Sequence, residues 1–175
     1  MRPRYDAVVV GGGASGLAAA TWLLRFRRAV LVVDSQDYRA ASVERTHGYL
    51  GRDPLQPIEF LEAARRDLLR YPTAWWRTGR VVQAGGEPGQ FELRLDDGTV
   101  LTSARVVLAT GVADAFPDLE GFAEHYGASV FHCPACDGYD AENRDVVALG
   151  WDERLVGFAT TLLNWARSVT IVTDG

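Results

Sequence analysis

Apolar and polar positions change period several times along this chain, and each change marks an element. Ala7-Val8-Val9-Val10 is a short, largely β-branched run, the pattern of a parallel strand buried on both faces. Beyond the glycines that follow, Leu17, Thr21 and Leu24 recur at helical spacing and predict a helix through Arg25. Ala29-Val30-Leu31-Val32-Val33 then reads as a second buried strand, ended by Asp34. From Ser35 to Pro57 the chain is polar and irregular. Pro57 suits a first helical position, and Ile58, Leu61, Ala64 and Leu68 form an apolar stripe with Glu62 and Arg66 spaced as an exposed pair, ending near Tyr71-Pro72. Trp75 and Trp76 read as core residues or as a wall beside a cofactor, the core being the simpler reading.

The period then falls to two. Gly79-Arg80-Val81-Val82 reads as a strand, Phe91, Leu93 and Leu95 alternate with polar residues, and Asp97-Gly98 is a hairpin signal, which together predict a small antiparallel meander. It leads into Arg105-Val106-Val107-Leu108-Ala109-Thr110-Gly111, an apolar strand closed by small residues that could lie against a bound cofactor. Near the end the opening pattern recurs. Val146-Val147-Ala148-Leu149-Gly150 reads as strand and turn, Leu155, Phe158, Leu162 and Leu163 as a helix face, and Val169-Thr170-Ile171-Val172 as a returning strand followed by Asp174.

The first turn carries chemistry. Gly11-Gly12-Gly13-Ala14-Ser15-Gly16 fits Gly-x-Gly-x-x-Gly: Gly11 for the tight turn, Gly13 for close backbone approach to a pyrophosphate, Gly16 for close packing of helix on strand. The helix amides and dipole would face the phosphates. Asp34 follows Gly11 by 23 positions, where a carboxylate meets a ribose hydroxyl. Strand, glycines, helix, strand and acid in one short unit predict dinucleotide binding; a glycine-rich turn in an unrelated α/β protein is the bland alternative. Asp174 follows Gly150 by 24 positions, but Asp152 and Leu155 stand where the second and third glycines belong, beside Trp151 and Glu153. Side chains there block close approach, and carboxylates at a helix start compete with pyrophosphate for the amides. A second nucleotide site is therefore weaker than the first.

Composition narrows the function classes. The chain has 175 residues, 47% of them hydrophobic, enough for a sizeable core. All 18 basic residues are arginine and the formal charge is −5, which argues against a nucleic-acid partner and excludes a lysine Schiff base. Arg2 and Arg4 before an apolar run resemble a signal peptide, but Asp6, the glycines inside the run and Arg25, Arg27 and Arg28 after it argue against export. No run is long enough to span a membrane. Arg39, Arg45, His47 and Arg52 are candidate ligand contacts, although each reads more simply as a solvated loop residue.

The only two cysteines lie in His132-Cys133-Pro134-Ala135-Cys136-Asp137-Gly138. Two thiols at this spacing can close a disulfide with little backbone movement, and a nearby imidazolium would stabilise the attacking thiolate. Structural cysteines are the alternative, and His132 itself could serve the fold alone. One Cys-x-x-Cys is not a secreted disulfide framework; it fits a reducing compartment, and the expected location is cytoplasmic. A metal site is disfavoured, since zinc takes four ligands and no second Cys-x-x-Cys exists.

In order, Gly11-x-Gly13-x-x-Gly16, Asp34, the meander, Ala109-Thr110-Gly111, Cys133-x-x-Cys136-Asp137-Gly138 and a second Rossmann start resemble the low-molecular-weight thioredoxin reductase family of FAD/NAD(P)-binding pyridine nucleotide-disulfide oxidoreductases, over its N-terminal portion. The resemblance implies an α/β fold: a Rossmann-like FAD-binding unit with an antiparallel meander insertion over residues 1–115, then the dithiol segment and the start of a Rossmann-like NAD(P)-binding unit over 116–175. It further implies that Gly11, Gly13, Ala14, Ser15, Gly16 and Asp34 hold the ADP half of FAD, with Thr110 and Gly111 lining it. Cys136 would face the flavin, Cys133 would exchange with substrate, and Asp137 would manage the thiol proton. Electrons would run from NAD(P)H through flavin to Cys133/Cys136 and on to a disulfide, with a thioredoxin-like protein or a small-molecule dithiol or disulfide as partner and a homodimer as the full-length assembly. Asp174 favours an unphosphorylated ribose. Two alternatives stay open: a flavin dithiol oxidase using oxygen without NAD(P)H, which Thr46-His47-Gly48-Tyr49, Cys133-Pro134-Ala135-Cys136 and the degraded glycine motif favour, and an inactive FAD-binding fragment.

Overall fold

The computed structural model describes residues 5–173, so Asp174 lies outside the described residues. The chain divides into two compact units. The first runs to Ser42 and resumes over Gln56–Ala115; the second comprises Val43–Leu55 and the chain from Phe116.

In the first unit, β1 (Ala7–Val10), α1 (Ala14–Arg25) and β2 (Val30–Asp34) follow one another as the hydrophobic pattern predicts. A 3-10 turn over Arg39–Ser42 precedes the excursion into the second unit. Next come α2 (Pro57–Leu68), β3 (Ala74–Thr78), β4 (Val81–Glu87), β5 (Gln90–Leu95), β6 (Val100–Ser103) and β7 (Val106–Leu108). Strands β3, β2, β1 and β7 form a parallel sheet in that order, and β4, β5 and β6 form the antiparallel meander.

Alternation along the buried strands sorts their side chains onto two faces. Val9, Val30 and Val32 meet Leu17, Ala20 and Leu24 of α1 and Leu68 of α2. Val8, Val10, Leu31 and Val33 meet Leu93 and Leu95 of the meander. Helices therefore cover one face of the sheet and the meander the other, which is why β1 and β2 read as continuous apolar runs.

The structure corrects two details here. Ala20, not Thr21, completes the buried stripe of α1, because Leu17, Ala20 and Leu24 are three and four apart while Thr21 falls at the edge of that face. Trp75 is no core residue: it lies on edge strand β3, 42% exposed, with its ring edge-on to Tyr5, whereas Trp76 points to the helix side and packs against that core.

The second unit contains α3 (Phe122–His125), α4 (Pro134–Asp137), β8 (Asp145–Leu149), α5 (Arg154–Leu162) and β9 (Ser168–Val172). Strands β8 and β9 pair in parallel across α5, a second β-α-β unit whose core is Ala148, Leu155, Ala159 and Leu162. Leu163, expected on the helix face, is exposed because it falls beyond the last turn and off the Leu155–Ala159–Leu162 stripe. The excursion Val43–Leu55 closes on itself through paired backbone hydrogen bonds between Thr46 and Leu55. Among the described residues, no helix is long and apolar enough to cross a membrane.

Candidate functional site

The glycine turn of the first unit lies at the carboxyl ends of the parallel strands, where open α/β sheets bind ligands. Gly11 has φ 108°, and a Cβ there would run into the carbonyl oxygen of Ala109, just beyond β7. A Cβ on Gly16 would collide with the Gly11 carbonyl, so this glycine lets α1 approach β1. Gly13 differs: nothing lies within 4 Å of the position its Cβ would take. It is the N-cap of α1, and no side chain caps that helix, leaving Ala14, Ser15 and Gly16 at an open first turn. An open cradle over uncapped amides, with no acidic residue in that turn, fits a pyrophosphate. Thr110 and Gly111 are exposed just after Ala109, beside the same turn, and Gly111 has φ 68°.

Asp34 is buried at the end of β2 and its carboxylate is held on both oxygens. Oδ1 accepts the Gly12 amide at 3.0 Å and Oδ2 accepts the Tyr38 hydroxyl at 2.5 Å. Each oxygen keeps a further lone pair, so a ribose hydroxyl remains compatible with this arrangement. Burial first, and then the bond to Asp34, hold the Tyr38 phenol above its ordinary pKa, so it stays a donor. Trp76 backs the turn: a Cβ on Gly12 would come within 2.5 Å of its ring, and Arg65 stacks on the indole at 4.4 Å. The indole N–H of Trp76 is buried without a partner. Trp76 thus sits beside the turn, in keeping with the wall reading of its sequence position, whereas Tyr38 is not a sequence candidate; a phenol four residues beyond a strand-terminal acid is the one signal that could have found it.

Of the arginines weighed as ligand contacts, Arg39 pairs with Asp114 through two hydrogen bonds of 2.7 Å, while Arg45 and Arg52 are exposed.

In the second unit, Cys133 and Cys136 form a disulfide with their Cα atoms 5.3 Å apart. Cys133 caps α4 and Pro134 starts it, so both sulfurs come to one end of a single turn. Cys133 is half-buried and Cys136 exposed. Burial raises the Asp137 carboxyl above its ordinary pKa, against the attraction of His132 and His47. A carboxyl that holds its proton more tightly than usual suits a group meant to exchange one. Gly138 is buried under Trp165, whose ring lies 2.8 Å from where a Cβ would sit, which explains a glycine directly after the acid. His132 stacks on Tyr126 with its Nδ1 2.6 Å from the phenol oxygen, and Phe116 and Phe122 complete an aromatic cluster around that tyrosine.

The second turn is closed by its own side chains. A Cβ on Gly150 would meet Leu155 at 2.9 Å, and Leu155 itself is buried in the unit's core. The Asp152 carboxylate accepts the Arg154 amide at 2.9 Å and pairs with the Arg154 guanidinium at 2.5 Å. An anion arriving at α5 therefore meets an amide already taken and a carboxylate in its place.

The sequence profile of the pyridine nucleotide-disulphide oxidoreductase family matches residues 5–173. The chain is 35% identical over 153 residues to an Arthroderma benhamiae protein described as "Probable thioredoxin reductase", covering 84% of this chain and 38% of that one. It is 35% identical over 185 residues to the thioredoxin reductase aclD of Aspergillus oryzae, covering 99% of this chain and 58% of the relative. An oxidoreductase from Agrobacterium tumefaciens has the same fold with a TM-score of 0.94 at 36% identity, covering 99% of this chain and 58% of that structure. The chain thus spans little more than half the length of these relatives, or less.

Proposed function

Because the chain belongs to the pyridine nucleotide-disulphide oxidoreductase family, we propose that it serves an FAD-dependent, thioredoxin reductase-like disulfide oxidoreductase. Residues 1–115 are the FAD-binding domain, and 116–175 carry the redox dithiol and part of an NAD(P)-binding domain. The single observation that carries this reading is the Cys133–Cys136 disulfide, in a chain whose first unit keeps an open, uncapped glycine turn. Gly11, Gly13, Ala14, Ser15, Gly16 and Asp34 hold the ADP half of FAD, and Thr110 and Gly111 line it. Bound FAD would supply two-electron transfer between NAD(P)H and the disulfide. The chain's own part is thiol chemistry: Cys133 exchanges with the substrate, Cys136 resolves the mixed disulfide, and Asp137 holds or delivers the thiol proton. The partner is a thioredoxin-like protein or a small-molecule dithiol or disulfide, and the full-length protein is a homodimer in the cytoplasm.

Closure of the second turn by Asp152 and Leu155 favours a second reading, a dithiol oxidase that passes electrons from a substrate dithiol to oxygen without NAD(P)H. One absorbance series separates the two. The chain reconstituted with excess FAD should retain flavin bands after gel filtration; a colourless chain overturns both. Anaerobic NADH or NADPH should bleach bound flavin under the first reading, whereas only a dithiol should under the second. Cys136→Ser should trap a substrate thiol as a stable mixed disulfide at Cys133, and the reverse pattern in Cys133→Ser would exchange the two roles.

A further inference from the structure

His47 of the excursion Val43–Leu55 has no part in the chemistry assigned above, yet both of its ring nitrogens face carboxylates. Nδ1 lies 2.9 Å from Asp53 Oδ1, and Nε2 lies 3.2 Å from Asp140 Oδ2. Ionised carboxylates only accept, so a ring bearing two N–H groups satisfies both at once. The other oxygen of Asp53 accepts the Gly48 amide at 2.9 Å, and that bond, followed by His47, holds the Asp53 carboxyl below its ordinary pKa. Asp53 thereby fixes the ring within the excursion. Asp140 belongs to the 3-10 turn Gly138–Ala141 that directly follows α4, four residues beyond Cys136.

We propose that His47 is a positioning residue for the redox pair: it pins the dithiol segment to the excursion Val43–Leu55 and offsets the Asp140 charge, against which a thiolate at Cys133 or Cys136 must form. Burial and then His132 act most strongly on the Asp137 carboxyl, and after them His47 lowers and Asp140 raises its pKa, so both groups reach the residue next to Cys136. Without His47, the Asp140 carboxylate, four residues beyond Cys136 in the turn that follows the pair, loses the ring it faces. Like charge disfavours the thiolate, destabilises the reduced form and makes the disulfide harder to reduce. The inference rests on the proposed function only in requiring that Cys133 and Cys136 cycle between disulfide and dithiol.

The test needs no flavin. In glutathione or dithiothreitol buffers a thiolate of the reductant attacks one sulfur, the Cys133–Cys136 bond breaks to a mixed disulfide, and a second reductant thiolate releases the oxidised reductant. The pair gains two electrons and two protons, and alkylation followed by mass measurement reads the reduced fraction. His47→Ala should lower the equilibrium constant for reduction by about threefold, the scale of one exposed ion pair. Asp140→Asn should raise it, and His47→Ala added to Asp140→Asn should change little further. His47→Gln, which keeps the bulk and can donate to one carboxylate, should fall between wild type and His47→Ala, and it carries the test if the alanine variant unfolds. An unchanged constant in His47→Ala and His47→Gln, or a histidine effect as large in the Asp140→Asn background as in wild type, overturns the proposal. Failure to bind FAD would sink the proposed function and leave this comparison standing.

Discussion

The two β-α-β turns of this chain start from the same hydrophobic plan and reach opposite surfaces. In the first, each glycine removes a side chain that would clash or fill space: Gly11 and Gly16 let β1, β7 and α1 approach, and Gly13 leaves the helix start bare. In the second, Leu155 turns the third glycine position into core, and Asp152 spends its carboxylate on the amide that a phosphate would need. The same backbone topology therefore leaves one turn open and the other closed by side chains. The two differ in what meets the amides at the helix start: no side chain binds them at Ala14, whereas Asp152 occupies the Arg154 amide.

The comparison breaks most visibly at the first glycine of each turn. Gly11→Ala combines a left-handed φ with a backbone collision and should cost about 3 kcal/mol or more, whereas Gly150→Ala meets only the tip of Leu155 and should cost about 1 kcal/mol or less. Urea unfolding of the two variants measures the difference, and equal losses would mean that the first turn is no tighter than the second. Gly13→Ser gives the first turn a capping side chain, as Asp152 already occupies an amide of the second. Serine is a favoured N-cap, so stability should hold or rise slightly while FAD affinity falls about tenfold or more by titration. Retained affinity would remove Gly13 from the binding surface.

Asp152→Gly runs the exchange backwards. It should free the Arg154 amide at the start of α5, and any affinity for NADH or NADPH should rise a few-fold in fluorescence titration. No gain would assign the closure to Leu155 alone. The smallest effect belongs to Asp137. Because burial raises its folded pKa, the native state binds more protons than the unfolded chain above the ordinary carboxyl value, and stability falls as pH rises through that window. Asp137→Asn should raise the melting temperature slightly at pH 7, with the gain disappearing below about pH 4, where both states are protonated.

Legibility followed sequence distance. β1, α1 and β2 could be read from a local pattern because burial on both faces leaves an unbroken apolar run, and the meander could be read from its alternation and Asp97-Gly98. β3 could not: Ala74-Trp75-Trp76-Arg77-Thr78 is a short edge strand exposed on one side, so its two tryptophans suggest a core that only one of them joins. At the candidate site, the glycines, Asp34 and the cysteine pair stand out in the sequence by their spacing. Tyr38 on Asp34 and His47 between Asp53 and Asp140 did not, because their meaning lies in partners that no periodicity connects, in the last case 93 positions downstream. His47 read most simply as a solvated loop residue for that reason.

The excursion Val43–Leu55 has a consequence for the order in which the chain is made. It leaves the ribosome between two parts of the first unit, and its Thr46–Leu55 pairing can form at once, but Asp140, the outer partner of His47, is synthesised long afterwards. Until then the histidine has only Asp53. The second unit is thus not one continuous stretch from Phe116 onward: a fragment begun there would lack the thirteen residues Val43–Leu55 that belong to the same unit.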